Sequence, residues 1–309
     1  MIALCGIPSE PPMQLVAMAA ENLGLETVML NQREGARTNF ELTIDRTGRN
    51  FCYHSPDGEL ALDKMTGAYI RLADFHNLPE YSSHSAANTH DRVRIEAWHA
   101  ILNDWLETAD CRVMNRLKNS NSNMSKPYQA QLISRTGLRT PKTLITNQVD
   151  RVQNFQKEFG RVIFKSISAH RSIVRELTDA NTSRLAQIKM LPTQFQELIE
   201  GDNVRVHVVG EKLFATRIRS DVIDYRYAAD DGGNSTFEPT DLPENIAVKC
   251  LKLSQVLGLP LCGIDLILTK EGEYVCLEVN PSPAYNCFEE HTGQPIADAI
   301  VRNLANLAE

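Results

Sequence analysis

The sequence predicts a mixed α/β protein: a parallel-sheet βαβ unit first, then a longer region of antiparallel strands. Three stretches lead there. "MIALCGI" is a short apolar strand, followed by a Pro-rich turn and a helix from about Pro12 to Leu23, with Leu15, Met18, Ala19 and Asn22 at helical spacing. "ETVMLN" then returns as a strand, completing a right-handed βαβ unit. Later, "TQFQELI", "VRVHVVG" and "KLFATRIR" follow one another across short turns, the signature of antiparallel pairing. Finally, "CGIDLILTKEGEYVCLEVN" reads as a hairpin about a Lys-Glu-Gly turn.

The remaining elements fall between these landmarks. "FELTIDRTGRNFCYHSPDGELAL" is cut by "RTGR" and "PDGE" turns into hairpin-like pieces, and "GAYIRL" is a further strand. A helix is expected from His90 to Thr108, with Val93, Ala97, Ile101, Leu102 and Trp105 on its apolar face. "CRVMN" is a short strand before the polar loop "NSNSNMSK", and the division into residues 1–110 and 111–309 is placed there. Beyond it come a helix with Lys126 in its first turn, the helix "DRVQNFQKEF", the strand "GRVIFKSI", a helix from Glu244 to Leu257, and a last helix from about Gln294.

A chain of 309 residues buries a substantial core. Its net charge of −7 argues against a protein that grips nucleic acid, which normally carries a basic excess. Seven scattered cysteines without Cys-x-x-Cys spacing suit a reducing compartment and a packing role. The N-terminus lacks a basic leader, and no apolar run approaches the ~20 residues of a membrane span. A cytoplasmic protein with no nucleic-acid or membrane partner is therefore expected.

The chemistry gathers at the hairpin. In "EYVCLEVNPSP", alternation places Tyr274, Cys276, Glu278 and Asn280 on one strand face and Val275, Leu277 and Val279 on the other. The hairpin folds Asp265 back towards Glu278, so two carboxylates and an amide oxygen converge. Such a set suits Mg²⁺, although any one acid alone is better explained by an arginine partner or a turn. Lys165 sits inside an apolar strand, where a lysine needs an anion, and Lys126 opens a helix for which Ser125 is a candidate cap. Arg205 and Arg217 alternate with apolar residues in neighbouring strands. Singly these cations read as solvated side chains; jointly with the acids they describe a nucleoside triphosphate pocket. The Walker and dinucleotide glycine patterns are both missing.

In this order the segments "VMN…MSKPYQAQLISRTGLRTPKTLITN", "VIFKSI", "FQELIEGDNVRVHVVGEKLFATRI" and "GIDLILTKEGEYVCLEVNPSPAY" resemble the ATP-grasp superfamily, in its RimK-like branch of carboxylate–amine ligases. The resemblance implies an α+β grasp in which antiparallel sheets sandwich ATP: a pre-ATP-grasp-like domain at 1–110, then a central lobe at about 142–200 and a C-terminal lobe at 201–309. It implies an ADP-forming ligase that makes an amide bond through an acyl phosphate, with ATP and two Mg²⁺ ions (Mn²⁺ as a substitute). By position, Lys126 and Lys165 match the phosphate-binding lysines. Gln196, Glu197, Leu198 and Ile199 match the adenine-reading hinge, with Glu197 or Asp202 near adenine or ribose. Asp265, Glu278 and Asn280 match the metal ligands, and Arg217 and Arg205 the catalytic arginines.

Asp224 and Arg226 in "DYR" resemble a motif of microviridin-type, peptide-modifying ligases, and Arg71 and Ser282 are further substrate candidates. Two departures stand out: the loop 166–172 lacks the usual glycines, and "EVNPSPAY" carries Pro281 and Ala284 where small residues and glycine are common. Substrates are accordingly small carboxylates and amines, or a short peptide closed into a macrocycle. A non-catalytic nucleotide-binding regulator is the alternative from another class. A homodimer or tetramer is the family habit.

Overall fold

The computed structural model describes residues 1–46, 48–56, 58–82, 89–165, 174–182, 184–220 and 234–307. The first part comprises β1 (Ile2–Gly6), α1 (Pro11–Asn22), β2 (Thr27–Asn31), β3 (Asn39–Asp45), β4 (Gly48–Ser55), β5 (Gly58–Ala61), β6 (Gly67–Arg71), α2 (Pro79–Ser82), α3 (Thr89–Thr108) and β7 (Arg112–Met114). Strands β2-β1-β6-β7 form a parallel sheet in that order, as the βαβ pattern requires, and β3-β4-β5 make a separate antiparallel meander. The fourth strand of the parallel sheet lies past residue 110, so a division there would separate β7 from its sheet.

The α3 helix buries Ile95, Trp98, His99, Leu102, Trp105 and Leu106, spaced by three and four residues. The expected face holds at Ile101, Leu102 and Trp105 but not at its start, where Val93 is 61% exposed and Ala97 is exposed. Strict four-residue steps drift round a 3.6-residue helix, so a face that is in phase at 101–105 has left the core by 97 and 93.

The second part continues with α4 (Leu117–Ser120), α5 (Lys126–Arg135), β8 (Thr143–Thr146), α6 (Val149–Phe159), β9 (Val162–Lys165), β10 (Arg175–Glu176), α7 (Asp179–Thr182) and β11 (Thr193–Glu197). Strands β10-β9-β11-β8 form a four-stranded antiparallel sheet. Then come β12 (Asp202–Val209), β13 (Lys212–Ser220), β14 (Ser235–Pro239), α8 (Glu244–Leu257), β15 (Leu261–Leu268), β16 (Tyr274–Asn280), α9 (Asn286–Thr292) and α10 (Ile296–Ala305). These strands make a five-stranded antiparallel sheet, β14-β13-β12-β15-β16, with β16 at its edge. The C-terminal region thus holds two helices: Thr292 ends α9, where its hydroxyl donates to the Phe288 carbonyl, and Pro295 precedes α10.

Each antiparallel sheet packs one face against a helix, and the five-stranded sheet also meets α9 on part of its other face, where the His207 and Phe288 rings lie 4.8 Å apart. Leu144, Phe164 and Phe195 pack with Val152, Phe155 and Phe159 of α6. Val204, Val206, Val208, Ile264, Leu266, Cys276 and Val279 pack with Ile246, Cys250, Leu253 and Leu257 of α8 and Ile133 of α5. A third core joins the two ends of the chain, where Ile296, Ile300 and Leu304 of α10 pack against Ile2, Leu4 and Tyr69. A Cβ on Gly67 would lie 2.6 Å from the Leu304 carbonyl oxygen, so α10 rests on β6 at a distance only glycine allows. Among the described residues, no helix is long and apolar enough to cross a membrane.

Candidate active site

The hairpin register sets Asp265 directly opposite Glu278, and Gly263 opposite Asn280. Between Glu278 and Cys276 the register slips by one: Leu266 pairs with Cys276, and Leu277 is the extra residue of a β-bulge. The bulge corrects the expected alternation. Cys276 faces the α8 core, as does Val279, three residues on; Glu278 and Asn280 therefore share the opposite face with Asp265, not with Cys276 and Tyr274. Without the bulge, one register would have to bury either Cys276 or the acids on the wrong side.

Arg205 of β12 lies opposite Asp265 and belongs to the same face. Only 6% exposed, it donates from Nη1 to Asp265 Oδ1 at 2.6 Å and from Nε to His207 Nε2 at 3.5 Å, and its guanidinium stands 5.9 Å from the centre of the Phe288 ring. The space it occupies is that of a missing side chain, since a Cβ on Gly263 would lie 2.3 Å from Arg205 Nη2. Burial, then the neighbouring Arg205 charge, hold His207 well below the usual histidine range, so it accepts from Arg205 as the neutral ring.

Two amide side chains fix the ends of these strands. Gln129 of α5 donates from Nε2 to the Val279 carbonyl and accepts the Val279 N–H at Oε1, both at 2.9 Å. Asn115 donates to the carbonyls of Leu261 and Pro281, each at 2.5 Å, and accepts the Leu261 N–H at 3.1 Å. Sequence reasoning missed both, together with Gly263. For Gln129 the available signal was its place one turn beyond Lys126 on the same helix.

The other predicted residues divide. Arg217 lies opposite Val204, on the face covered by α8, and donates from Nε to Asp202 at 2.7 Å. The structure therefore does not bring Arg217 to Asp265; it joins two candidates to each other on the far side of the sheet. On the four-stranded sheet, Lys165 (7% exposed) is opposite Gln194, and Gln196 opposite Ile163, all on the face that α6 leaves uncovered. Gln196 donates to Thr143 Oγ1 at 3.0 Å, whereas buried Gln194 Oε1 has no hydrogen-bond partner among the described residues. At the hinge, the Glu197 carboxylate accepts the Lys142 N–H at 2.8 Å and pairs with Arg139, and the Leu198 N–H bonds the Arg161 carbonyl. Lys126 opens α5 as expected, but Ser125 makes no side-chain cap.

From the parallel sheet, Arg71 reaches across to the loop after β16. It donates to Ser282 Oγ at 3.2 Å and to the Pro283 carbonyl at 2.9 Å while its Nε bonds Glu10 at 2.9 Å. The Ser282 N–H in turn bonds Asn280 Oδ1 at 2.9 Å. Two substrate candidates are thus structural partners of a metal-ligand candidate. Asp224, Arg226 and the loop 166–172 lie outside the described residues. Cys276, buried beside Cys250, is pushed far above the usual thiol range by that burial and is not a nucleophile.

Among the described residues, no three His, Cys, Asp or Glu side chains gather as a metal cluster. Two carboxylates and one amide on one sheet face still fit a hard divalent cation that draws the rest of its shell from phosphate oxygens and water.

These features define a class, and the comparisons agree with it. The chain belongs to the RimK-like ATP-grasp family, whose domain model matches residues 124–304, more than half of the chain. The curated relatives include a probable alpha-L-glutamate ligase of Vibrio atlanticus (strain LGP32), 29% identical over 181 residues. That match covers 55% of this chain and 59% of the relative, so the chain spans only part of the length of the relatives it matches. Solved structures match over nearly the whole chain. A Chryseobacterium gregarium RiPP-associated ATP-grasp ligase, in complex with ADP and a leader and core peptide, superposes with a TM-score of 0.83 at 19% identity, covering 100% of this chain and 97% of that one. The macrocyclase MdnC of Microcystis aeruginosa MRC, bound with its precursor peptide MdnA, gives 0.81 at 21% identity, with 99% of each chain covered. The ligase PsnB, complexed with a minimal precursor, Mg and ADP, gives 0.78 at 24% identity, covering 98% and 97%. At these identities the likeness establishes the fold.

Proposed function

We propose that the protein is an ATP-dependent carboxylate–amine ligase that forms an amide bond through an acyl phosphate, releasing ADP and phosphate. The observation that carries this reading is the register: Asp265 opposite Glu278, with Asn280 two pairs further along, on the sheet face opposite the α8 core. Asp265, Glu278 and Asn280 would hold Mg²⁺, which neutralises charge on the phosphates when bound. Lys165 and Lys126 supply positive charge to the phosphate oxygens, and the hinge backbone at Glu197–Ile199 faces the adenine. A substrate carboxylate oxygen attacks the γ-phosphorus, the bond to the β–γ bridging oxygen breaks, and ADP leaves. An amine nitrogen then attacks the acyl carbon, the C–O bond to phosphate breaks, and the amine gives up its proton. Arg205 holds Asp265 in place and adds a fixed charge, in chemistry that depends on positioning and charge neutralisation.

A second reading narrows the substrate to a peptide whose side chains are joined. It is favoured by the extent of the likeness: the match to peptide-bound ligases includes the N-terminal parallel sheet, whereas the match to the glutamate ligases spans 55% of the chain. Magnesium-dependent ADP release, measured against a panel of amino acids and short acidic peptides, tests both readings. Stimulation by peptides alone selects the second. Binding of ATP without stimulation by any substrate overturns the ligase reading and leaves a nucleotide-binding regulator.

A further inference from the structure

The strand that carries Glu278 and Asn280 is an edge strand, and its outer side is not paired with another strand of the sheet. Its hydrogen-bonding groups are met instead from the segment 115–139. The Arg139 carbonyl accepts the Cys276 N–H at 2.8 Å, Gln129 takes both groups of Val279, and Asn115 takes the Pro281 carbonyl. Main chain thus serves up to the bulge at Leu277, and side-chain amides serve beyond it.

The Gln129 contact has a geometry with a consequence. The N–H of Val279 belongs to the peptide unit shared with Glu278, and its C=O to the unit shared with Asn280. One carboxamide, 3% exposed, therefore grips the two peptide planes on either side of Val279. The Val279 side chain is already anchored in the α8 core, which fixes depth but not rotation about the strand. Two directional bonds from a helix fix the rotation, and with it the directions in which Glu278 and Asn280 project.

We propose that Gln129 is a positioning residue that sets the aim of Glu278 and Asn280 at a divalent cation. This rests on the reading that those two residues and Asp265 hold the metal. The test uses the full-length chain and calorimetric titration with a non-hydrolysable ATP analogue, in EDTA and then in magnesium. Magnesium tightens analogue binding to the parent protein. In Gln129→Leu the tightening drops about tenfold, the usual loss when an outer partner of a metal ligand is removed, while affinity in EDTA stays within about twofold. A tightening equal to that of the parent overturns the inference, and so does an equal fall in both affinities, which marks a merely structural role.

Should Gln129→Leu not fold, Gln129→Glu in mildly alkaline buffer is read the same way. It keeps the acceptor for the Val279 N–H and loses the donor to the carbonyl, so a partial loss of tightening is expected and none overturns the inference. Glu278→Gln and Asp265→Asn separate the two levels. If they keep the full tightening, the metal reading itself fails. If they lose it and Gln129→Leu does not, only the positioning role fails.

Discussion

The two antiparallel sheets solve the same problem in different ways. Each packs one face on helices and carries polar side chains on the other, yet on the five-stranded sheet the candidate acid and amide groups are met from within, although buried His207 Nδ1 has no hydrogen-bond partner among the described residues. Arg205 bonds Asp265, Asn280 accepts from Ser282, and Gln129 closes the edge of β16. The four-stranded sheet keeps beside Lys165 a buried acceptor, Gln194 Oε1, that has no partner among the described residues. Under the proposed function the first is preorganised for a cation, its geometry set before any ligand arrives. The second carries an unmet hydrogen-bonding demand, costing about 1–3 kcal/mol, that a ligand can relieve.

Five substitutions press on that contrast, the largest expected effect first. Glu278→Gln should lower magnesium-dependent ADP release by about a thousandfold or more while the fold survives, because it removes charge at the preorganised face; circular dichroism and turnover together check this. Gly263→Ala should cost about 1–3 kcal/mol of stability and most of the activity, since its methyl group occupies the place of the Arg205 guanidinium. Denaturant titration alongside turnover measures both.

On the other sheet, Gln194→Leu should act with opposite sign on the two properties. The free protein gains about 1 kcal/mol by losing a buried unpaired acceptor, and nucleotide binding weakens. A variant that loses both would remove the contrast between the sheets.

The fourth test uses acid. Burial keeps His207 neutral in the folded protein, whereas the unfolded chain protonates it below its ordinary value of 6.5. The unfolded state then binds more protons, so stability falls as the pH drops below about 6.5 and continues to fall until the depressed folded value is reached. His207→Leu should flatten that slope, seen as a smaller fall in Tm between neutral and acidic buffer. His99, which burial holds at about 4, contributes to both proteins and cancels in the difference. Last, Arg217→Ala should change turnover by less than about threefold and stability by less than about 1 kcal/mol, as expected for a partly exposed ion pair on the far face.

The Arg217 assignment shows how much a sequence holds beyond its motifs. "VVGEKL" is a hairpin whose turn is Gly210 and Glu211, with Val209 pairing Lys212. That fixes the sum of paired numbers and sets Arg205 opposite Thr216, so Arg205 and Arg217 must lie on opposite faces. The information was present and family position was read in its place. Asp265 and Glu278 were legible only as near neighbours, because the same arithmetic, run from the Leu268–Tyr274 pair, sets Asp265 opposite Leu277. The bulge was not, because Leu277 is apolar and suits a strand in either register. The amide contacts were invisible for another reason: Gln129 and Val279 are 150 residues apart, and nothing local to either announces the other.

The approach of α10 to β6 bears on how the protein is made. Ile2, Leu4 and Tyr69 find part of their packing in Ile296, Ile300 and Leu304, and Gly67 seats the helix backbone itself. During synthesis the parallel sheet leaves the ribosome before α10, with its Ile2, Leu4 and Tyr69 side covered only in part by Met13, Val16 and Ala20 of α1. That core stays incomplete until the helix from Ile296 to Ala305 emerges, so strands made early wait for a helix made much later.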